Sequence, residues 1–486
     1  MLSRRDFLKA SVGLGVLGVT GCGGDTLVPP AALAPPLPLD QLAASLRGTL
    51  LRPDSPGYLN AALPWNLRFA NVLPMAIAQC QSAEDVRTSL LWAQENQVPL
   101  VARSGGHSYA GYSTTTGLMI DLSTMNQVDF DPVSGVARVQ GGGRNQNVED
   151  ALRPASVALP HGRCPRVGVA GLVLGGGIGF DMRLHGLTCD KLLETEVVLA
   201  SGEIVRANAV ENPDLFWACR GGGGGNFGIN TSFLFQTYPV DRVTVYQIIW
   251  TERLETLLPL ALELLPQMPR ELGAKLTAAT DGTTLSLELL GQLVGSPTDL
   301  RALFEPFFQV AAPASEQIQE MAYWDGQDFL AEPDASDYSH ERSRYAFAPI
   351  PAEGSAVILD YLRRWPGTGS AANWKFFLAG QEVAALAPDA TAFVHRQASL
   401  ISSIELDWLG TTSPEVVALN QAWQDEFHQA MLAFTSGFCY QNFIDESQQD
   451  YLQAYYGSNL ARLVEVKRRY DPTNVFRFPQ SIPTAL

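Results

Sequence analysis

The 486-residue sequence predicts an α+β protein in two parts, and three observations carry that prediction. Glycine-rich loops crowd the stretch before residue 230, between short strand-like runs. After about residue 244 they give way to longer amphipathic helical patterns that alternate with strands, as expected of helices covering one face of an antiparallel sheet. The chain is 46% hydrophobic, enough for a large core, and its length fits two or three domains at about 100–200 residues each.

Taken in order, residues 1–22 stand outside the fold. Ser3-Arg4-Arg5-Asp6-Phe7-Leu8-Lys9 precedes a short apolar run through Val19, too short to span a bilayer as a mature helix, and reads as a twin-arginine export signal. A G-x-G-x-x-G match at residues 13–18 follows no strand, so it belongs to this apolar run and is not a dinucleotide fingerprint. Val19-Thr20-Gly21-Cys22 resembles a bacterial lipobox; acylated Cys22 would anchor the chain to a membrane, and cleavage near Ala32-Leu33-Ala34 without lipidation is the alternative. The location implied is periplasmic or cell-envelope. Residues 23–64 form a tether, rich in Pro and Ala to about residue 40, and a lead-in, with the fold starting near Trp65.

Residues 74–79 read as a strand, Ser82-x-x-Asp85 as a capping box opening a helix to about Gln97, and residues 98–102 as a second strand, together a βαβ unit ending in a glycine loop. Strands follow near 117–122, 137–141 and 196–200. In the second part, helical patterns at 254–265, 299–310, 355–365 and 414–435 alternate with strands at 275–279, 284–290 and 374–378. This divides the chain into a first domain at 65–243, a second at 244–430 and a tail at 431–486.

Charge narrows the functions. With 33 basic and 50 acidic residues the net charge is −17, and no basic face is available for a phosphate backbone, which excludes nucleic acid as a partner. The six cysteines form no C-x-x-C pair and have no His at ligand spacing, so no metal site is expected. The loops at 103–109, 175–179 and 220–228 are the positive signal: consecutive amides in turns form concave nests that hold anions without cationic side chains, as a pyrophosphate requires. The Walker pattern is missing, which argues against a nucleotide triphosphatase.

The set R-S-G-G-H-S-Y (103–109), G-R-C-P-R-V-G-V (162–169), G-G-G-I-G (175–179), D-L-F-W-A-C-R-G-G-G-G-G-N-F-G-I (214–229) and Y-D-P-T-N-V-F-R-F-P-Q-S-I-P (470–483) resembles the berberine bridge enzyme-like FAD-linked oxidases of the vanillyl-alcohol oxidase superfamily. The resemblance implies a PCMH-type FAD-binding domain of two subdomains, a substrate domain, and a tail returning to the FAD domain. It implies FAD bonded twice, to His107 and to Cys164. Other cofactor-binding positions it implies are Arg103, Ser104, Gly105, Gly106 and Ser108; Gly168, Val169 and Gly171; Gly175, Gly176 and Gly179; Gly228 and Ile229; and Asn442. Tyr440, in Tyr440-Gln441-Asn442-Phe443, takes the place of the tyrosine that deprotonates the substrate hydroxyl, and Tyr109 that of a substrate-side tyrosine. A phenol needs its pKa lowered for that work. Val167 sits where oxygen would approach the flavin.

Some residues depart from the family pattern. Ile178 and Phe443 replace tyrosines, and Trp374-Lys375-Phe376-Phe377-Leu378-Ala379-Gly380 lacks the Tyr or Asp some relatives carry, which points to an apolar pocket for a hydrophobic or aromatic alcohol. The activity implied is hydride transfer from an alcohol or hydroxylated small molecule to flavin, with O2 as acceptor and H2O2 as product. The alternatives are a dehydrogenase using a quinone or other acceptor, an oligosaccharide or aldose oxidase, and a lipid-anchored binding protein without turnover.

Overall fold

The computed structural model describes residues 37–332, 335–366 and 371–486; the segments read from sequence as an export signal, a lipobox and most of a tether lie outside the described residues. The folded body runs from Leu39 to Leu486. It starts earlier than the Trp65 expected from sequence, and one buried carboxylate explains why. Asp85, in the first turn of helix Ala83–Glu95, accepts from the amides of Arg47 (2.8 Å), Gly48 (3.0 Å) and Gln81 (2.9 Å). The lead-in is thereby fixed to the βαβ unit, and strand Thr49–Leu51 joins its sheet antiparallel to Ala76–Gln79.

The βαβ unit forms as expected: Ser82 Oγ caps the helix, accepting from the Asp85 amide at 3.2 Å, and strands Ala76–Gln79 and Leu100–Arg103 lie parallel on either side of Leu118–Asp121. A second sheet, antiparallel, has the order Val128–Asp131, Val136–Gln140, Ile229–Gln236, Leu192–Val198, Ile204–Asn208.

The second part is a seven-stranded antiparallel sheet in the order Ser315–Ala322, Arg242–Trp250, Leu285–Leu293, Leu272–Thr280, Ala372–Leu378, Leu400–Trp408, Tyr338–Ala346. Side chains alternate across each strand. Trp374, Phe376 and Leu378, with Ile404 and Leu406, enter a core closed by helices Leu254–Leu264, Pro297–Val310, Ala352–Arg363 and Pro414–Ala430. Each such large apolar side chain contributes roughly 1.5–3 kcal/mol on burial. Lys375, Phe377, Glu405 and Asp407, on the alternate positions, face the first part.

The tail is bound to the first part by a buried cation. Lys467 Nζ donates to Asn226 O (2.8 Å), Phe476 O (2.5 Å) and Asp471 Oδ2 (2.7 Å), and the Asn226 side chain accepts from the Ile482 amide at 2.9 Å. Both Lys467 and Asp471 are fully buried.

Candidate active site

Between the glycine loops and the free face of the seven-stranded sheet lies a cavity of about 610 Å³. Its first wall combines glycine loops with apolar side chains. The loops carrying His107 and Cys164 touch through glycines: a Cβ on Gly105 would lie 2.2 Å from the Gly168 nitrogen, and one on Gly168 2.3 Å from the Gly105 nitrogen. Only glycine permits that approach. Gly171 is different. It lines the cavity with nothing within 4 Å of where a Cβ would stand. Ser104 Oγ, also on the lining, is buried with no partner among the described residues. An open bed and an orphaned hydroxyl on a wall of amides fit a flat, anionic cofactor such as FAD.

Of the residues singled out from sequence, His107, Cys164, Ser104, Gly105, Gly106, Ser108, Tyr109 and Val167 line the cavity. So do Gly168, Gly171, Gly179, Gly228, Ile229, Tyr440 and Asn442. Four do not. The Arg103 guanidinium is buried and donates to Ala61, Ala62 and Ser113 carbonyls, which organises the lead-in. Val169 is a core side chain whose amide donates to Gly143 O at 2.9 Å. Gly175 and Gly176 leave room for other residues: added Cβ atoms would meet Asn442 Oδ1 at 2.0 Å and the Phe393 ring at 2.9 Å.

The two candidate attachment residues differ in setting. The His107 ring stacks on Trp65, centroids 4.6 Å apart and planes 20° apart. Cys164 is half-buried, its thiol 3.9 Å from Glu332 Oε2. The other described cysteines are buried, and burial raises their pKa values, to about 11 for Cys219 and about 12 for Cys439. A raised pKa keeps a thiol inert.

The Tyr440 hydroxyl oxygen accepts from the Gly177 amide at 3.0 Å and from Asn442 Nδ2 at 3.1 Å. Burial nonetheless pushes its pKa above the ordinary tyrosine value, the two donors opposing that push. The downward shift expected from sequence is therefore absent in this state. Tyr109 is raised as well, first by burial and then by Glu341 and other acidic neighbours; its ring stacks on Phe443 at 5.6 Å.

The second wall adds charged groups to the largely apolar lining that the sequence leads one to expect. Lys375 lies between Glu405 Oε1 (2.9 Å) and Glu341 Oε1 (3.2 Å), Glu341 also accepts from Ser403 Oγ (2.5 Å), and Arg163 pairs with Glu332. Glu332, Asp337, Lys375, Glu405 and Asp407 all line the cavity. The signal was present in sequence as alternation: in S-I-E-L-D-W (403–408) every second residue is polar, which on a strand packed by helices on one face puts the charges on the other. His395 contacts Tyr455 O at 3.0 Å, and burial lowers its pKa to about 4.

Residues 74–208 match the family model described as FAD binding domain, and residues 439–483 the model described as Berberine and berberine like. An uncharacterised FAD-linked oxidoreductase of Bacillus subtilis is 33% identical over 90% of this chain and 97% of its own length. Glucooligosaccharide oxidase of Sarocladium strictum is 32% identical over 87% of this chain and 90% of its own. Among solved structures, wild-type BBE-like 1 of Physcomitrella patens superposes with a TM-score of 0.84 at 28% identity, covering 92% of this chain and 99% of that one.

Proposed function

Because the chain belongs to the berberine bridge enzyme-like FAD-linked oxidoreductases, we propose that it oxidises an alcohol or hydroxylated small molecule, with FAD bonded to both His107 and Cys164 and O2 as electron acceptor. One observation carries the reading: two nucleophilic side chains from separate loops line a single cavity whose glycine bed is open at Gly171. Bound there, FAD would supply the hydride acceptor, with O2 as the oxidant reduced to H2O2. Ser104, Gly105, Gly168 and Gly171 would hold it.

The chain's own residues handle the proton. Tyr440 takes it from the substrate hydroxyl, and the Gly177 and Asn442 N–H donors support the negative charge on its oxygen. Since burial raises this pKa, the phenolate grows in as pH rises and the reaction has an alkaline optimum. The test is anaerobic mixing of the purified protein with a panel of benzylic alcohols and cello-oligosaccharides. Flavin bleaching, followed by recovery in air with stoichiometric H2O2, is the expected result; bleaching without recovery would point to a quinone-type acceptor, and no bleaching by any donor would contradict the reading.

The hydrogen-bonding sheet wall favours a second reading of the substrate, an oligosaccharide, and the 32% identity to an oxidase of that class supports it. Export by the twin-arginine route with anchoring at Cys22 also belongs to this proposal, supported by Arg4-Arg5 and by the sequence around Cys22. Arg4→Lys with Arg5→Lys is expected to retain flavin-loaded precursor inside the cell, and Cys22→Ala to release the exported protein from membranes.

A further inference from the structure

The lead-in that precedes the βαβ unit also reaches the cavity. Trp65 is docked by its own backbone on the loop that carries His107: its amide donates to Gly106 O at 3.1 Å, and its carbonyl accepts from the Asp337 amide at 3.2 Å. The next residue, Asn66, is fully buried and ties down the same loop, its Nδ2 donating to Tyr109 O at 2.7 Å and to Ser339 O at 2.9 Å. Residue 65 is therefore fixed beside His107. Its indole lies on the imidazole, centroids 4.6 Å apart and planes 20° apart, and meets the Tyr109 ring at 5.5 Å. All three rings line the cavity.

A docked backbone places the imidazole but does not set its plane. The outer torsion of a histidine side chain is broad and roughly two-fold, so a ring set by its backbone alone turns readily. An offset-stacked aromatic neighbour restricts that turning. Orientation counts here because a bond to flavin joins one ring nitrogen to one carbon, and small misplacements of reacting atoms slow such steps strongly. The step is also an oxidation. The imidazole N–H and one C–H of a flavin methyl group break, the N–C bond forms, two electrons and two protons pass to the flavin ring, and O2 then takes them as H2O2.

Resting on the reading of two flavin bonds above, we propose that Trp65 is the positioning residue for the His107 bond: its indole holds the imidazole plane in the orientation that reaches the flavin methyl carbon. The Cys164 bond, made from a separate loop, does not depend on it.

The test follows full-length protein carrying Cys164→Ala, in which His107 offers the remaining bond, purified at intervals after induction and precipitated in acid. Flavin bound before acid and flavin kept after it are measured on each sample. In this background Trp65→Ala and Trp65→Leu are expected to bind flavin as the parent does and to attach it at least about tenfold more slowly. Trp65→Phe, which still stacks, is expected to attach it at nearly the parent rate. With Cys164 restored, Trp65→Leu is expected to carry flavin on the Cys164 peptide while the His107 peptide of early samples is unmodified. Attachment at the parent rate in Trp65→Leu, a Trp65→Phe variant as slow as Trp65→Leu, or bound flavin lost in step with attachment would each overturn the proposal, the last by making Trp65 a packing residue. A Cys164→Ala protein that releases all its flavin in acid would instead refute the His107 bond itself, and this inference with it.

Discussion

The cavity's two walls are made in opposite ways. The first-part wall brings glycine backbone from several loops to the cavity among apolar and aromatic side chains, with one orphaned hydroxyl. The sheet wall consists of side chains, and ion pairs hold its charges in place. A backbone wall can change little without losing its shape, whereas alternate positions on a strand can change charge and size while the helix-covered face keeps the sheet together. The first wall suits a cofactor that never varies, and the second suits a substrate that does.

The comparison breaks most visibly at Gly171. Gly171→Leu adds a helix-compatible side chain where nothing stands in the way, so the account expects loss of nearly all bound flavin with an unchanged unfolding midpoint. Spectra and denaturant melts of the same preparation check both halves; a flavin-loaded variant would mean the cofactor does not lie on this bed. Next comes Tyr440→Phe, expected to slow anaerobic flavin reduction by about 10²–10⁴-fold, the usual range for a lost general base, with flavin content preserved. Asn442→Leu is expected to slow it less, and more at neutral than at alkaline pH, because a donor that lowers the tyrosine pKa has gone.

Lys375→Met tests the opposite wall. It strands Glu341 and Glu405 without their shared cation and is expected to cost about 3–5 kcal/mol in denaturant unfolding while flavin remains attached. Flavin loss in parallel with stability would show that the walls are not separable. The smallest effect is expected at Val167, which lines the cavity beside the Cys164 loop. Val167→Leu adds one methylene to a close-packed wall and should slow reoxidation by O2 in stopped flow with substrate reduction little changed. Equal oxygen rates would make Val167 an ordinary packing residue.

How far sequence sufficed follows from the same contrast. The glycine loops, His107 and Cys164 were legible because a cofactor bed fixes residue type at fixed spacing. Arg103, Val169, Gly175 and Gly176 sat in those motifs, yet the structure uses them to shape the loops from behind, a distinction spacing does not encode. Helices covering a sheet were legible from their apolar stripes. Strands Tyr338–Ala346 and Leu400–Trp408 were missed because buried polar residues such as Glu341 and Ser403 on the cavity face break the usual strand composition. The charged wall went unread for the same reason: Lys375 and Glu405 lie 30 positions apart and meet only once neighbouring strands pair. The early start at Leu39 depends on Asp85 reaching the amides of Arg47 and Gly48, a contact between segments that look unrelated in sequence.

The most direct test of the central claim is to precipitate the wild-type protein in acid, wash it, digest it and locate the flavin by mass spectrometry. The account predicts that the flavin stays with the polypeptide and bridges the peptides carrying His107 and Cys164, that His107→Ala and Cys164→Ala each leave one bond, and that the double variant leaves none. Flavin released in full from denatured wild-type protein, or found on any other residue, would contradict it.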